Sequence, residues 1–123
     1  MAKGREKHQA HQAAVAALGK NLSRRARSRC ELCESSDKLS VVEVDGSPHE
    51  DPDEDWAVLV CSGCASLIEG KPTGPVRFLE SVMWSELRCV QITAVRALRT
   101  IDEPWAEAAL EGLYLDPEVE ELL

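Results

Sequence analysis

The chain of 123 residues has no run of about 18 consecutive apolar residues, so no membrane-spanning helix and no membrane partner are expected. Its start is basic but lacks an apolar stretch before a small-residue cleavage site, so no secretion signal is read there. Together these place the protein in the cytoplasm, where thiols stay reduced and paired C-x-x-C motifs point to metal more often than to disulfides. Histidine is scarce too. His8, His11 and His49 are the whole supply, too few and too scattered for an open hydrolytic metal site built from several His and Asp ligands. Internal repeats and low-complexity segments are also lacking. The length suits one domain with a modest core, a size at which a structural metal often makes up the deficit.

The charge is divided unevenly. Residues 1–29 carry eight Lys or Arg (Lys3, Arg5, Lys7, Lys20, Arg24, Arg25, Arg27, Arg29) against the single acid Glu6, a balance of +7, whereas the rest carries −15. The body should repel nucleic acid, and only the arm has the sign to attract it.

Residues 1–28 contain no proline and are rich in Ala, Gln, Lys and Arg. They read as a helical arm whose apolar stripe (Ala14, Leu18, Leu22, with Val15) is too thin to stabilise it alone. Ser23 is the expected N-cap of a last turn that runs into Cys30. Two β-prone runs follow, Leu39 to Val44 and Trp56 to Val60, separated by an acidic loop from Gly46 to Asp55. Cys64 to Glu69 reads as a short helix stopped by Gly70. From Ser85, taken as N-cap, the spacing of Leu87, Gln91, Ala94, Leu98 and Ile101 predicts a helix, and Val90, Ile92 and Val95 add apolar surface on or beside that face, so it is expected to be well buried. Further helices are expected from Pro104 to near Gly112 and from Pro117. The fold class is therefore α+β: a basic helical arm (1–28), a ribbon (29–70) and a helical region packed on it (71–123).

The ribbon carries the chemistry. Cys30-x2-Cys33 and Cys61-x2-Cys64 stand 27 residues apart, one pair before the first strand and one after the second, so a hairpin brings them together. Two residues between thiolates let one turn present both sulfurs to one ion, which predicts one structural Zn²⁺ held by Cys30, Cys33, Cys61 and Cys64. Four thiolates fill the tetrahedron and leave no place for a reactive water. The same cysteine layout occurs in HNH-type nucleases, which add a second metal held by His, Asp or Asn. At those places this chain has Val42-Glu43-Val44 and Ala65-Ser66-Leu67, so the general base is missing. Zinc knuckles often place Gly after the second Cys, where φ can be positive; here Glu34 stands there, and slight strain is expected.

The segments "SRCELCESSDKLSVVEV" and "VLVCSGCASLIE", with "SVMWSELRCVQITAVRAL" and "WAEAALEGLYLD" beyond them, resemble the PhnA family, bacterial zinc-ribbon proteins named for a gene of the alkylphosphonate-uptake operon. The likeness covers roughly residues 22–118. It implies a zinc-binding ribbon and, in the family at large, a C-terminal SH3-like domain, for which the sequence up to Leu123 leaves no room. The phosphonoacetate hydrolase label that travels with the family name finds no support in these residues.

Other features read blandly. Asp51, Asp53 and Asp55 alternate like the start of an EF-hand, but Trp56 and Ser62 stand where Gly and Glu are needed, so a solvated hairpin tip is expected. His8 and His11 read as a surface pair. Cys89 reads as a partly buried thiol off the main stripe, and Trp84 and Trp105 as anchors of the helical half. Lys20, Arg24, Arg25, Arg27 and Arg29 have three possible roles: docking on the acidic body or a protein partner, contacting nucleic-acid phosphates, or lying on a membrane surface, for which the apolar stripe is thin. The function expected is a non-enzymatic zinc-ribbon interaction module. Its rivals are an arm-mediated nucleic-acid binder and a metalloenzyme.

Overall fold

The computed structural model describes residues 2–48 and 50–123, with side chains from residue 7 onward; His49 lies outside the described residues. The order of elements is α1 (Ala2–Ala17), α2 (Gly19–Ala26), β1 (Ser40–Glu43), a 3-10 turn (Glu54–Trp56), β2 (Ala57–Val60), α3 (Ser62–Ile68), α4 (Leu79–Val82), α5 (Arg88–Arg99), α6 (Pro104–Glu111) and α7 (Pro117–Leu122). The class is α+β, as expected. None of these helices is long and apolar enough to cross a membrane.

The two strands form an antiparallel hairpin with Ser40 opposite Val60 and Glu43 opposite Ala57. All four residues of β2, Ala-Val-Leu-Val, are buried, because both faces of the hairpin are covered. Val58 and Val60 join the main core with α5, while Ala57 and Leu59 form a second small cluster with Leu22 of α2. An unbroken apolar strand is what a central layer requires. The acidic loop closes locally: Asp53 caps the 3-10 turn by accepting from the Asp55 N–H at 2.9 Å. Gly46 turns the chain at φ +112, a region glycine enters without strain.

α5 is the hub. It touches α3, α4, α6, α7, β2 and the 3-10 turn, and eight of its twelve residues are buried. The expected stripe is only partly right. Ala94 and Leu98 are buried, but Leu87 precedes the helix and is 39 % exposed, and Ile101 follows its end. Val90, Ile92 and Val95 are buried as expected, and Cys89 is buried as well, because neighbours cover the helix on several sides. Cys89 is thus fully rather than partly buried. Ser85 is not the N-cap. That position is Leu87, whose N–H the Ser85 hydroxyl accepts at 3.2 Å. α6 starts at Pro104 and gives way at Gly112, and α7 starts at Pro117, where the sequence placed them. Trp105 packs against the core with the Arg77 guanidinium 5.0 Å from its ring centroid, a cation–π contact. Trp84 is 48 % exposed and, against expectation, does not pack against the core.

The arm departs most from expectation. Ser23 lies inside α2 and caps nothing. Leu22 is wholly buried against Ala57 and Leu59, flanked by Leu18, Ala26, Leu39 and Val41. Burial of one leucine is worth about 1.5–3 kcal/mol, enough to seat two helical turns that propensity alone would leave frayed. The helix then ends abruptly. Arg27 and Ser28 both adopt left-handed backbone (φ 57 and 59), and the Ser28 N–H returns to the Ser23 carbonyl at 2.8 Å.

Candidate metal centre

The turn after α2 delivers Cys30 into the first knuckle. There the Glu34 N–H donates to the Cys30 carbonyl at 2.9 Å and the Cys30 N–H to the Ser35 carbonyl at 2.7 Å. Glu34 holds φ +67, the conformation anticipated for the residue after the second cysteine. The second knuckle spans the end of β2 and the start of α3: Cys61 is the N-cap of α3 and Cys64 lies in its first turn. The hairpin register sets the two knuckles side by side.

The sulfurs of Cys30, Cys33, Cys61 and Cys64 all lie within 4.8 Å of one another, and the Cys33 and Cys61 sulfurs are 3.5 Å apart. Zn–S bonds of about 2.3 Å imply a tetrahedral edge near 3.8 Å, which this spacing matches. The cysteines are free thiols. The Leu32 and Cys33 N–H groups point at the Cys30 sulfur at 3.4 and 3.5 Å, the backbone donation that eases thiolate charge in a knuckle. Cys30 is accordingly the acid of the group, its pKa lowered to about 4 by the hydrogen bond from the Cys64 thiol, against the opposing effect of burial, with backbone N–H groups adding to the shift. Cys64 is pushed up as the donor in that bond and by burial, and burial also raises Cys33. A dication would displace the remaining protons. An all-sulfur donor set of this size fits a closed zinc site, which four cysteine ligands complete.

A cavity of about 210 Å³, lined by Leu67, Val76 and Phe78 as well as three of the cysteines, gives the cluster an apolar wall. Cys33 is the least buried ligand; the other three are buried. Among the described residues no other group of three or more His, Cys, Asp or Glu is placed to share a metal.

One acid in the first knuckle has a part that sequence reading missed. The Glu31 carboxylate, 2 % exposed, accepts from Arg25 Nε at 2.9 Å, Arg25 Nη2 at 2.8 Å and the Leu59 N–H at 2.8 Å. The Glu31 N–H donates to the Leu59 carbonyl at 2.8 Å. Arg25 also donates to the Glu54 and Ala57 carbonyls at 2.8 and 2.9 Å. The guanidinium therefore ties the arm, the first knuckle and β2 together. No local signal marks this, because Leu59 lies 28 residues from Glu31 in sequence.

Arg25 thus takes the docking role among the five flagged cations. Lys20, Arg24, Arg27 and Arg29 are exposed, and none forms a side-chain ion pair among the described residues. The His11 Nε2 lies 2.8 Å from Glu43 Oε2, each side chain 42 % exposed. In the 50–55 loop, Asp53 caps the 3-10 turn. No family model, curated protein or solved structure matches the chain.

Proposed function

We propose that Cys30, Cys33, Cys61 and Cys64 hold one structural Zn²⁺ and that the protein is a non-enzymatic, PhnA-like interaction module of the cytoplasm. The observation that carries this is the closed all-sulfur donor set, which leaves no coordination position for a reacting water. The places where a nuclease of similar layout keeps its second metal support it too: Val44 and Leu67 are 7 % and 2 % exposed and belong to the core. Glu43 has a histidine beside it, but the pair stands alone on the surface. The PhnA likeness rests on the four sequence segments quoted above.

The test is metal analysis of protein purified without added metal. One zinc per chain is expected, and replacement of any of the four cysteines by Ser should release it and unfold the ribbon. Full metal content in such a variant would overturn the ligand assignment. A second metal, or iron with an open position, would overturn the non-enzymatic reading.

A further inference from the structure

The arm holds the only concentration of cations in an acidic chain, and its packing divides them into two sets. On α2, Leu22 and Arg25 face the hairpin, while Lys20 and Arg24, one turn apart, lie on the opposite side and are exposed. The left-handed turn at Arg27 and Ser28 then carries Arg27 and Arg29 onto the rim of a cavity of about 390 Å³ between that turn and the start of α5, where Glu34, Ser85, Leu87 and Val90 complete the lining. Glu31 also borders this cavity, but Arg25 already neutralises it. Among the described residues, Glu34 is the one carboxylate of this lining that forms no ion pair.

Had the cations served to offset the acidic body, they would be paired with it. Among the described residues Arg25 is, and Lys20, Arg24, Arg27 and Arg29 are not. One Lys and three Arg, they follow one another along the chain from α2 into the turn, all exposed, in a protein that is otherwise strongly negative.

From this division we infer that Lys20, Arg24, Arg27 and Arg29 form a docking surface for the phosphodiester backbone of a nucleic acid. This deepens the interaction-module reading and rests on it, because the zinc ribbon sets the turn that carries Arg27 and Arg29. Guanidinium groups match phosphate oxygens in a planar fork, and three of the four cations are arginines. A membrane surface fits less well: the apolar side of α2 is spent on the hairpin, so nothing on this helix remains to enter a lipid interface. An acidic protein partner fits less well too, because α2 itself has no exposed large hydrophobic side chain and, among the described residues, Leu87 is the only one bordering the rim of Arg27 and Arg29, less than an interface centre needs. Contacts to phosphate carry no sequence information, so binding is indifferent to sequence.

The experiment is fluorescence anisotropy with the zinc-loaded full chain and two labelled mixed-sequence probes, an RNA strand and a DNA duplex, with zinc measured on the same samples. Three or four neutralised phosphates predict that duplex affinity falls roughly 40- to 150-fold between about 50 and about 200 mM salt. The double variant Arg24→Glu/Arg27→Glu should bind at least about tenfold more weakly while keeping its zinc. Lys20→Glu, on the exposed side of α2, is the second variant and should weaken binding as well. Comparable binding of both probes supports backbone docking, and a preference for one assigns the strand type. One zinc per chain without binding at the lower salt, binding unchanged in zinc-retaining variants, or capture by phosphatidylserine vesicles in place of either probe would each overturn the inference and leave the ribbon standing. Absence of zinc from the wild-type protein would overturn the ribbon reading and this inference with it.

Discussion

Replacing Arg25 by Ala removes one guanidinium and strands one buried carboxylate. Glu31 would keep a single donor, the Leu59 N–H, at a position where 2 % of its side chain reaches water. Breaking a buried ion pair from one side costs about 3–5 kcal/mol. The Arg25 side chain is 20 % exposed, so water can enter the gap and the cost falls to about 2–4 kcal/mol, a large share of the roughly 5–15 kcal/mol that holds a small domain together. Because the clamp spans the arm, the residue next to Cys30 and a residue two before Cys61, the loss should reach the metal. If folding and zinc binding are one event, the same free energy weakens zinc roughly 30- to 700-fold at about 1.4 kcal/mol per tenfold. Urea unfolding of the zinc-loaded chain and competition with a chelator measure the two quantities separately. Glu31→Gln keeps an acceptor for the Leu59 N–H and should cost less. The double variant should fall short of the summed single losses by about 1–3 kcal/mol. A change below about 0.5 kcal/mol for Arg25→Ala, with unaltered zinc affinity, would place Arg25 among ordinary surface residues and refute the clamp.

Two further outcomes are expected. Glu34→Gly relieves a left-handed residue in the first knuckle and should stabilise the protein by about 0.5–1 kcal/mol after the entropic cost of glycine; a lower urea midpoint would show that the Glu34 side chain contributes more than its backbone costs. Burial raises the Cys89 thiol above its ordinary range, so the unfolded chain loses that proton first. The stability this contributes is complete below about pH 8.5 and declines as pH rises above it. In Cys89→Ala this part of the alkaline decline should vanish, and an unchanged pH profile would count against it.

The parts legible in the sequence are those whose signal is local. Cysteine spacing, the Val-rich runs, Pro104, Gly112 and Pro117 each act on their own neighbours, and each element appears where it was read. Glu34 belongs here too, because the knuckle turn demands a left-handed residue whatever its type. The seat of the arm is not legible locally because it depends on Leu22 meeting Ala57 and Leu59, a contact across more than thirty residues. The run Ala57-Val58-Leu59-Val60 held the missing clue: a strand apolar at every position needs a cover on each face, and the C-terminal helices could supply only one. Glu31 was unreadable, as an acid between two knuckle residues looks solvated until its partners are seen. The helix after Ser85 is buried at Val90, Ile92 and Val95 as its apolar pattern implies, but Cys89 is buried too, because a hub covered on several sides has no single buried stripe.

A two-stranded hairpin leaves each strand with an open flank whose N–H and C=O groups can template another chain. On β2 that flank is closed by groups that are not a strand. The Glu31 backbone takes the Leu59 carbonyl, its carboxylate takes the Leu59 N–H, and Arg25 takes the Ala57 carbonyl. The knuckle and the arm together imitate a third strand, and a single residue cannot extend the imitation outward. The protein thereby gains the hydrogen bonding of a wider sheet with no adhesive edge on that side, which guards against self-association in a segment as apolar as Ala-Val-Leu-Val.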